Sequence, residues 1–178
     1  MVNNAGAGLW AKFADSDPAR LRQAVAVNST AVMDISRAFL PGMLANGSGY
    51  LLNVTSLAAY SSIPMQSVYS ATKAFVLSFT EALWAETRST GVRVLALAPG
   101  VTDSGFFDAL GTEDPAARAG RAQTPEQVAS IGLGVLERRD PPPSWVSGHL
   151  NHAIALLPRC LTRRRAVLAT GNSTMRNA

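Results

Sequence analysis

Gly49-Tyr50-Leu51-Leu52-Asn53-Val54-Thr55-Ser56 is followed by Val68-Tyr69-Ser70-Ala71-Thr72-Lys73, and these two stretches decide the fold. The first is a short apolar run after a glycine-containing turn. It reads as a buried strand that delivers Ser56 at its carboxyl end. Leu57 to Gln66 reads as a loop, rich in Ser and Ala with one Pro. From Tyr69 a new pattern continues through Ala74, Phe75, Leu77, Ser78, Phe79, Ala82, Leu83 and Trp84, a helix of roughly five turns. Strand, loop and helix in this order form the unit of a doubly wound α/β sheet, where ligands bind outside the carboxyl ends of the strands.

The same stretches carry chemistry. Tyr69 and Lys73 are four residues apart, so on a helix they share one face and the ammonium lies beside the phenol. A neighbouring cation favours phenolate and is expected to lower a pKa that starts near ~10. A serine hydroxyl arriving from the adjacent strand can hold a substrate oxygen against that phenol. Ser56, Tyr69 and Lys73 therefore make a proton donor and acceptor for carbonyl and alcohol chemistry at neutral pH. A bare tyrosine–lysine pair of this spacing is more often an ordinary surface pair, and the flanking strand and loop are what set this one apart.

Four pieces of the sequence, in order, resemble the short-chain dehydrogenase/reductase family. Val2-Asn3-Asn4-Ala5-Gly6 is similar to the family's NNAG motif. Asn28, in Val27-Asn28-Ser29-Thr30, matches the helix asparagine of its catalytic tetrad. Ser56, Tyr69 and Lys73 match the Ser and YxxxK elements. Pro99-Gly100-Val101-Thr102-Asp103-Ser104, after the apolar run from Val92 to Ala98, is similar to the PGxxxT turn, with Ser104 in the Thr position. The resemblance implies a Rossmann-type doubly wound parallel sheet and NAD(P)-dependent interconversion of a carbonyl and an alcohol by hydride transfer. It implies Tyr69 as acid and base, and Lys73 as the group that lowers its pKa and bonds the nicotinamide ribose. Ser56 would orient the substrate oxygen, and Asn28 would hold a water linking Lys73 to solvent. Asn3, Ala5, Gly6, Tyr69, Lys73, Pro99, Gly100, Val101 and Ser104 are the implied cofactor contacts. The implied partners are a small carbonyl or alcohol substrate and further copies of the chain. Ala74, Ser78, Ala82 and Ala85 are small and helically spaced, which permits close approach of a second helix. An epimerase or dehydratase of the family's extended branch shares YxxxK and fits NNAG and Asn28 less well.

The sequence departs from that family at its start. A full member begins with a strand, a TGxxxGxG turn and a helix whose N-terminus faces the pyrophosphate. Nothing of that kind precedes Asn3. The expectation is a C-terminal portion keeping strands 4 to 7 and their helices, with roughly the first eighty residues of a full member missing. The residue that selects NAD or NADP goes with them, so the cofactor choice is not readable. Gly6 and Gly8 supply no phosphate-cradling loop, and Gly132 and Gly134 fall in a helical stretch. Either the start is misassigned or the chain is a true truncation. In the second case the leading strand becomes an uncovered edge, an aggregation liability. The alternative function is then a catalytically silent remnant acting as an oligomerisation module.

Composition describes one globular domain over residues 1–178. Apolar residues make up 47 % and charged residues 16 % of the chain, which excludes general disorder. No run approaches the ~18 apolar residues of a membrane span, and Met1 opens no signal-peptide pattern. The single cysteine, Cys160, permits no internal disulfide and fits a reducing cytoplasm. The net charge of +4 owes much to Arg159, Arg163, Arg164, Arg165 and Arg176. Without aromatic interleaving these read as a solvated helix end or tail rather than a nucleic-acid surface. His149 and His152 lack the further ligands a metal would need, so no metal site is expected. Asp17 to about Asn46 reads as a helix opened by Asp17-Pro18, with Leu21, Val25, Asn28, Val32, Ile35, Phe39 and Leu40 on its repeat and Pro41 as a kink or break. Thr124-Pro125-Glu126-Gln127 opens another, running to about Arg139. Trp145 to Gly148 reads as a short last strand. Thr102 to Gln123 corresponds to the family's substrate-binding loop, where Phe106, Phe107 and Leu110 fit either a substrate wall or packing.

Overall fold

Apolar runs bounded by turns and alternating with helix-period segments dictate a layered α/β domain. A computed structural model describes residues 1–111 and 121–175 of it. Strands β1 (Val2–Asn3), β2 (Gly49–Val54), β3 (Val92–Ala98) and β4 (Ser144–Val146) form one sheet in the order β1-β2-β3-β4. Every pairing is parallel, with Asn3 opposite Asn53, Leu52 opposite Leu95 and Leu97 opposite Trp145. Parallel strands need crossovers, and helices supply them. These are α1 (Pro18–Val25), a π-helical segment (Ala26–Thr30), α2 (Ala31–Ala45), α3 (Ser67–Glu86), α4 (Phe106–Leu110) and α5 (Pro125–Leu136). After β4 come α6 (His149–Leu156) and α7 (Arg163–Thr174).

Because side chains alternate along a strand, neighbouring leucines serve opposite layers. Leu51 joins Val92 and Val94 beneath Leu40, Met43, Leu83 and Trp84 of α2 and α3. Leu52 joins Leu95 and Leu97 beneath Val128, Val135 and Leu136 of α5. β3 lies between both layers, which is why Val92 to Ala98 reads as an almost unbroken apolar run. The crossovers start where their caps require. Ala19 N–H donates to Asp17 Oδ1 at 2.9 Å, and Pro18 follows as the first helical residue. Gln127 N–H donates to Thr124 Oγ1 at 3.3 Å and Thr124 N–H to Gln127 Oε1 at 3.0 Å, closing a capping box.

The first long helix keeps Asn28, Val32 and Leu40 of its expected face and differs at other positions. Ala24, Asn28, Val32 and Ser36 form its buried stripe, whereas Val25 is 43 % and Phe39 53 % exposed. Small side chains at a strict four-residue interval let this helix lie close to the sheet. Such an interval drifts around a helix of 3.6 residues per turn, and the wider π turn, with Ala31 N–H bonded to Ala26 O, takes up part of that drift. Pro41 does not break α2; the helix runs on to Ala45. A polar ladder crosses this layer. Asn3 Nδ2 donates to Asn53 Oδ1 (2.8 Å) and Ser36 Oγ (3.3 Å), and Asn53 Nδ2 donates to Thr80 Oγ1 (2.9 Å). All four residues are buried, so each bond satisfies groups that water cannot reach.

Candidate active site

The carboxyl ends of β1, β2 and β3 open into a single cleft of about 1230 Å³, somewhat larger than the roughly 300–1,000 Å³ of a typical small-molecule site. β2 ends at Val54, and the chain turns at Ser56 into a single 3-10 turn (Leu57–Tyr60). Ser56 Oγ accepts from Ala58 N–H at 3.1 Å, which fixes the side chain at the head of that turn. The Ser56 side chain favours the ionised form of the Tyr69 phenol. One helical turn along α3, Lys73 is buried, and its Nζ donates to Val54 O at 2.9 Å. The ammonium lies 5.8 Å from the centroid of the Tyr69 ring. Strand end, loop and helix thus bring Ser56, Tyr69 and Lys73 to one wall of the cleft.

The electrostatics depart from the sequence-based expectation. Burial pushes the Tyr69 phenol up from its ordinary value, and the Ser56 side chain opposes this only in part. The anticipated lowering by Lys73 is absent because the ammonium faces the ring and bonds a main-chain carbonyl. Burial pushes Lys73 itself down to about 8. Both shifts have the sign that desolvation gives: the charged form is disfavoured in each case.

Asn28 sits in the π segment and is fully buried. Its Oδ1 accepts from Ala7 N–H at 2.8 Å, and its Nδ2 donates to Ala7 O at 2.8 Å and to Thr72 Oγ1 at 3.0 Å. Both amide donors are therefore engaged in tying the loop after β1 to α3. Thr72 Oγ1 donates in turn to Tyr69 O (2.8 Å), and Thr55 Oγ1 donates to Lys73 O (2.7 Å). Sequence reading passed over Thr55 and Thr72. Their signal was position alone, Thr55 immediately before Ser56 and Thr72 within the Tyr69–Lys73 turn.

Of the residues assigned to a cofactor, Ala5, Gly6, Tyr69, Lys73, Pro99, Gly100, Val101 and Ser104 line the cleft. Asn3 does not, because its amide belongs to the buried ladder, and Asn4 lines the cleft in its place. A Cβ built on Gly6 would stand 3.5 Å from Lys73 Nζ and 3.6 Å from Asn28 Oδ1, in the space above the ammonium. The cleft is lined by two glycine-containing turns and two cations, Lys73 and Arg20, and among the described lining residues there is no carboxylate. That donor set fits the nicotinamide–ribose end of a dinucleotide. No glycine-rich strand-to-helix turn for a pyrophosphate occurs among the described residues. Phe106 packs 5.4 Å from the Tyr69 ring and Phe107 lines the cleft, while Leu110 is buried. The wall and packing readings of these residues thus divide between them. Part of the Thr102–Gln123 loop lies outside the described residues, as does Arg176. His149 and His152 are exposed on α6, and no group of three metal-ligating side chains occurs among the described residues. No described helix is long and apolar enough to cross a membrane.

Residues 1–115 match the family model for short chain dehydrogenases. The chain is 34 % identical over 140 residues to the ketoacyl reductase HetN of Nostoc sp., covering 78 % of this chain and 48 % of that protein. It is 30 % identical over 157 residues to the probable oxidoreductase EphD of Mycobacterium tuberculosis, covering 79 % and 26 %. Among solved structures, a 7β-hydroxysteroid dehydrogenase superposes with a TM-score of 0.80 at 24 % identity, over 96 % of this chain and 66 % of that one. A short chain dehydrogenase from Burkholderia cenocepacia in complex with NADP gives 0.75 at 26 %, over 92 % and 66 %. The chain therefore spans about half or less of the length of these curated relatives.

Proposed function

Because the chain belongs to the short chain dehydrogenase family, we propose that it interconverts a carbonyl and an alcohol, with Tyr69 as proton donor and acceptor and NAD or NADP as the hydride carrier. The observation that carries this reading is that Ser56, Tyr69 and Lys73 line one cleft, with Lys73 Nζ 5.8 Å from the centroid of the Tyr69 ring. In reduction the phenol delivers its proton to the substrate oxygen as negative charge develops there. In oxidation it takes the proton back. Ser56 Oγ holds that oxygen beside the phenol and stabilises its charge. Ala5, Gly6, Pro99, Gly100 and Val101 offer main chain and little bulk to the nicotinamide–ribose end, with Lys73 beneath. When bound, the dinucleotide supplies the hydride chemistry. Asn28 acts through position, holding the Ala7 loop and Thr72 so that Tyr69 and Lys73 keep their places.

Titration of the purified chain with NADH and NADPH, followed by oxidation of either against a panel of ketones, tests the proposal. Saturable binding is expected, together with turnover that falls by a factor on the order of 10²–10⁴ in Tyr69→Phe. Turnover unchanged by that substitution would overturn the role of Tyr69. A second reading, a silent module that pairs with further copies, is favoured by a separate observation. Val25, Met33 and Phe75 are each more than two-fifths exposed along one shallow groove between the long helices. A chain that sediments as a dimer and binds neither nucleotide would establish that reading instead.

A further inference from the structure

Met65 adopts a φ of 68°, a region that non-glycine residues seldom occupy. Ala11 N–H, donating to Met65 O at 2.9 Å, holds it there. The next residue, Gln66, starts α3 as its N-cap without using its side chain as a cap. Gln66 is 8 % exposed and lines the cleft. Its main chain is bonded, since its N–H donates to Ile63 O and its carbonyl accepts from Ser70 N–H. Its side-chain amide has no hydrogen-bond partner among the described residues, yet no fully enclosed polar side-chain atom is left unsatisfied. The residue lines the cleft one helical turn before Tyr69, and the same cleft is lined by the apolar side chains of Ile63, Leu57 and Phe106. An amide so placed offers one acceptor and two donors to whatever fills the cleft.

Resting on the oxidoreductase reading above, we propose that Gln66 is a specificity-determining residue. It selects apolar ketones and secondary alcohols that carry a second, uncharged oxygen a few bonds from the reacting carbon. Ser56 and Tyr69 take the reacting oxygen and the Gln66 amide takes the second. The second oxygen is uncharged because the cleft-lining residues of the segment that carries Gln66, from Val54 to Gln66, include no cation. A carboxylate brought against a neutral amide in an apolar wall would lose its hydration without a counter-charge.

The test is direct binding of a matched pair, benzylacetone and its benzylic-hydroxyl analogue, by calorimetry to the wild-type chain and to Gln66→Leu and Gln66→Met, each checked for folding by circular dichroism. The wild type is expected to bind the hydroxylated ketone roughly tenfold more tightly, the worth of one well-made hydrogen bond in a desolvated site. Both variants are expected to bind the two ketones alike, with benzylacetone affinity unchanged. Equal affinities in the wild type, no binding of either ketone, or a preference that survives in a folded variant would each overturn the assignment. The readout needs no turnover. A chain that shows the Gln66-dependent preference but oxidises no NADH or NADPH loses the catalytic reading and keeps this one.

Discussion

Replacing Lys73 by Met should stabilise the fold while abolishing the proposed activity. Lys73 is almost fully buried and its pKa falls from 10.5 to about 8 because burial penalises the charged form. At about 1.4 kcal/mol per tenfold, holding the ammonium charged at neutral pH costs roughly 3 kcal/mol relative to the unfolded chain. Methionine keeps the unbranched stem and removes the charge. It also takes from Val54 O the donor now at 2.9 Å, a loss of about 1 kcal/mol. The net expectation is a gain of roughly 2 kcal/mol at pH 7, or a rise in Tm of about 4–8 °C for a chain of this size. The sign with pH follows from the depressed pKa. Below about 8 the lysine is protonated in both states and the burial cost is fully present. Between about 8 and 10.5 the native chain binds fewer protons than the unfolded one, so wild-type stability rises with pH. Lys73→Met lacks this rise, and the gap between the two should close across that window. Tyr69, raised by burial, acts oppositely above its ordinary value near 10, but it is present in both proteins and cancels in the difference. Urea denaturation at several pH values measures the gap. A variant less stable than wild type at pH 7, or a gap that does not change with pH, would refute the reasoning.

Two further substitutions probe the same site. Asn28→Ala removes three hydrogen bonds at once and strands the main-chain groups of Ala7. We expect a loss of roughly 2–4 kcal/mol, read by chemical denaturation, with turnover falling as the Ala7 loop and Thr72 lose their tie. Ser56→Ala removes the hydroxyl that opposes the effect of burial on Tyr69, so the phenol should ionise at still higher pH in ultraviolet difference titration. Turnover should drop by a factor on the order of 10²–10³, as when one donor to a developing oxyanion is removed.

The fold was legible where local and tertiary demands coincide. Val92 to Ala98 could only be a strand buried on both faces, and Thr124-Pro125 could only open a helix. On the first long helix Asn28, Val32 and Leu40 face inward as expected, but Ala24 and Ser36 were missed because size was taken as the mark of burial. Its buried stripe is built from Ala24, Asn28, Val32 and Ser36, chosen for close approach, whereas Phe39 and Val25 face outward. That choice depends on the distance between helix and sheet, which periodicity does not encode. At the site, the positions of Ser56, Tyr69 and Lys73 were readable from spacing, but the direction of the Tyr69 shift was not. Spacing places a cation near a phenol; how far each is removed from water depends on the whole packed wall, and here desolvation sets the direction of both shifts.

The same distinction explains why Asn4 rather than Asn3 lines the cleft. Adjacent residues in a strand face opposite sides, so of two neighbouring asparagines at the end of β1 one must enter the layer beneath α2 and the other the cleft. Asn3 enters the layer because Asn53 and Ser36 are there to pair with it. The ladder it starts reaches Thr80 on α3 through Asn53, and a second set of bonds from Asn28 reaches the same helix at Thr72. β1 has only two residues at the sheet edge, with Val2 half exposed, too few ladder bonds to fix the following loop. Two polar connections to α3, one through the sheet and one through the π segment, supply what the strand lacks. The cleft's floor is thereby referred to the helix that carries Tyr69 and Lys73, so a change in either asparagine should be felt at the phenol before it is felt in the distant core.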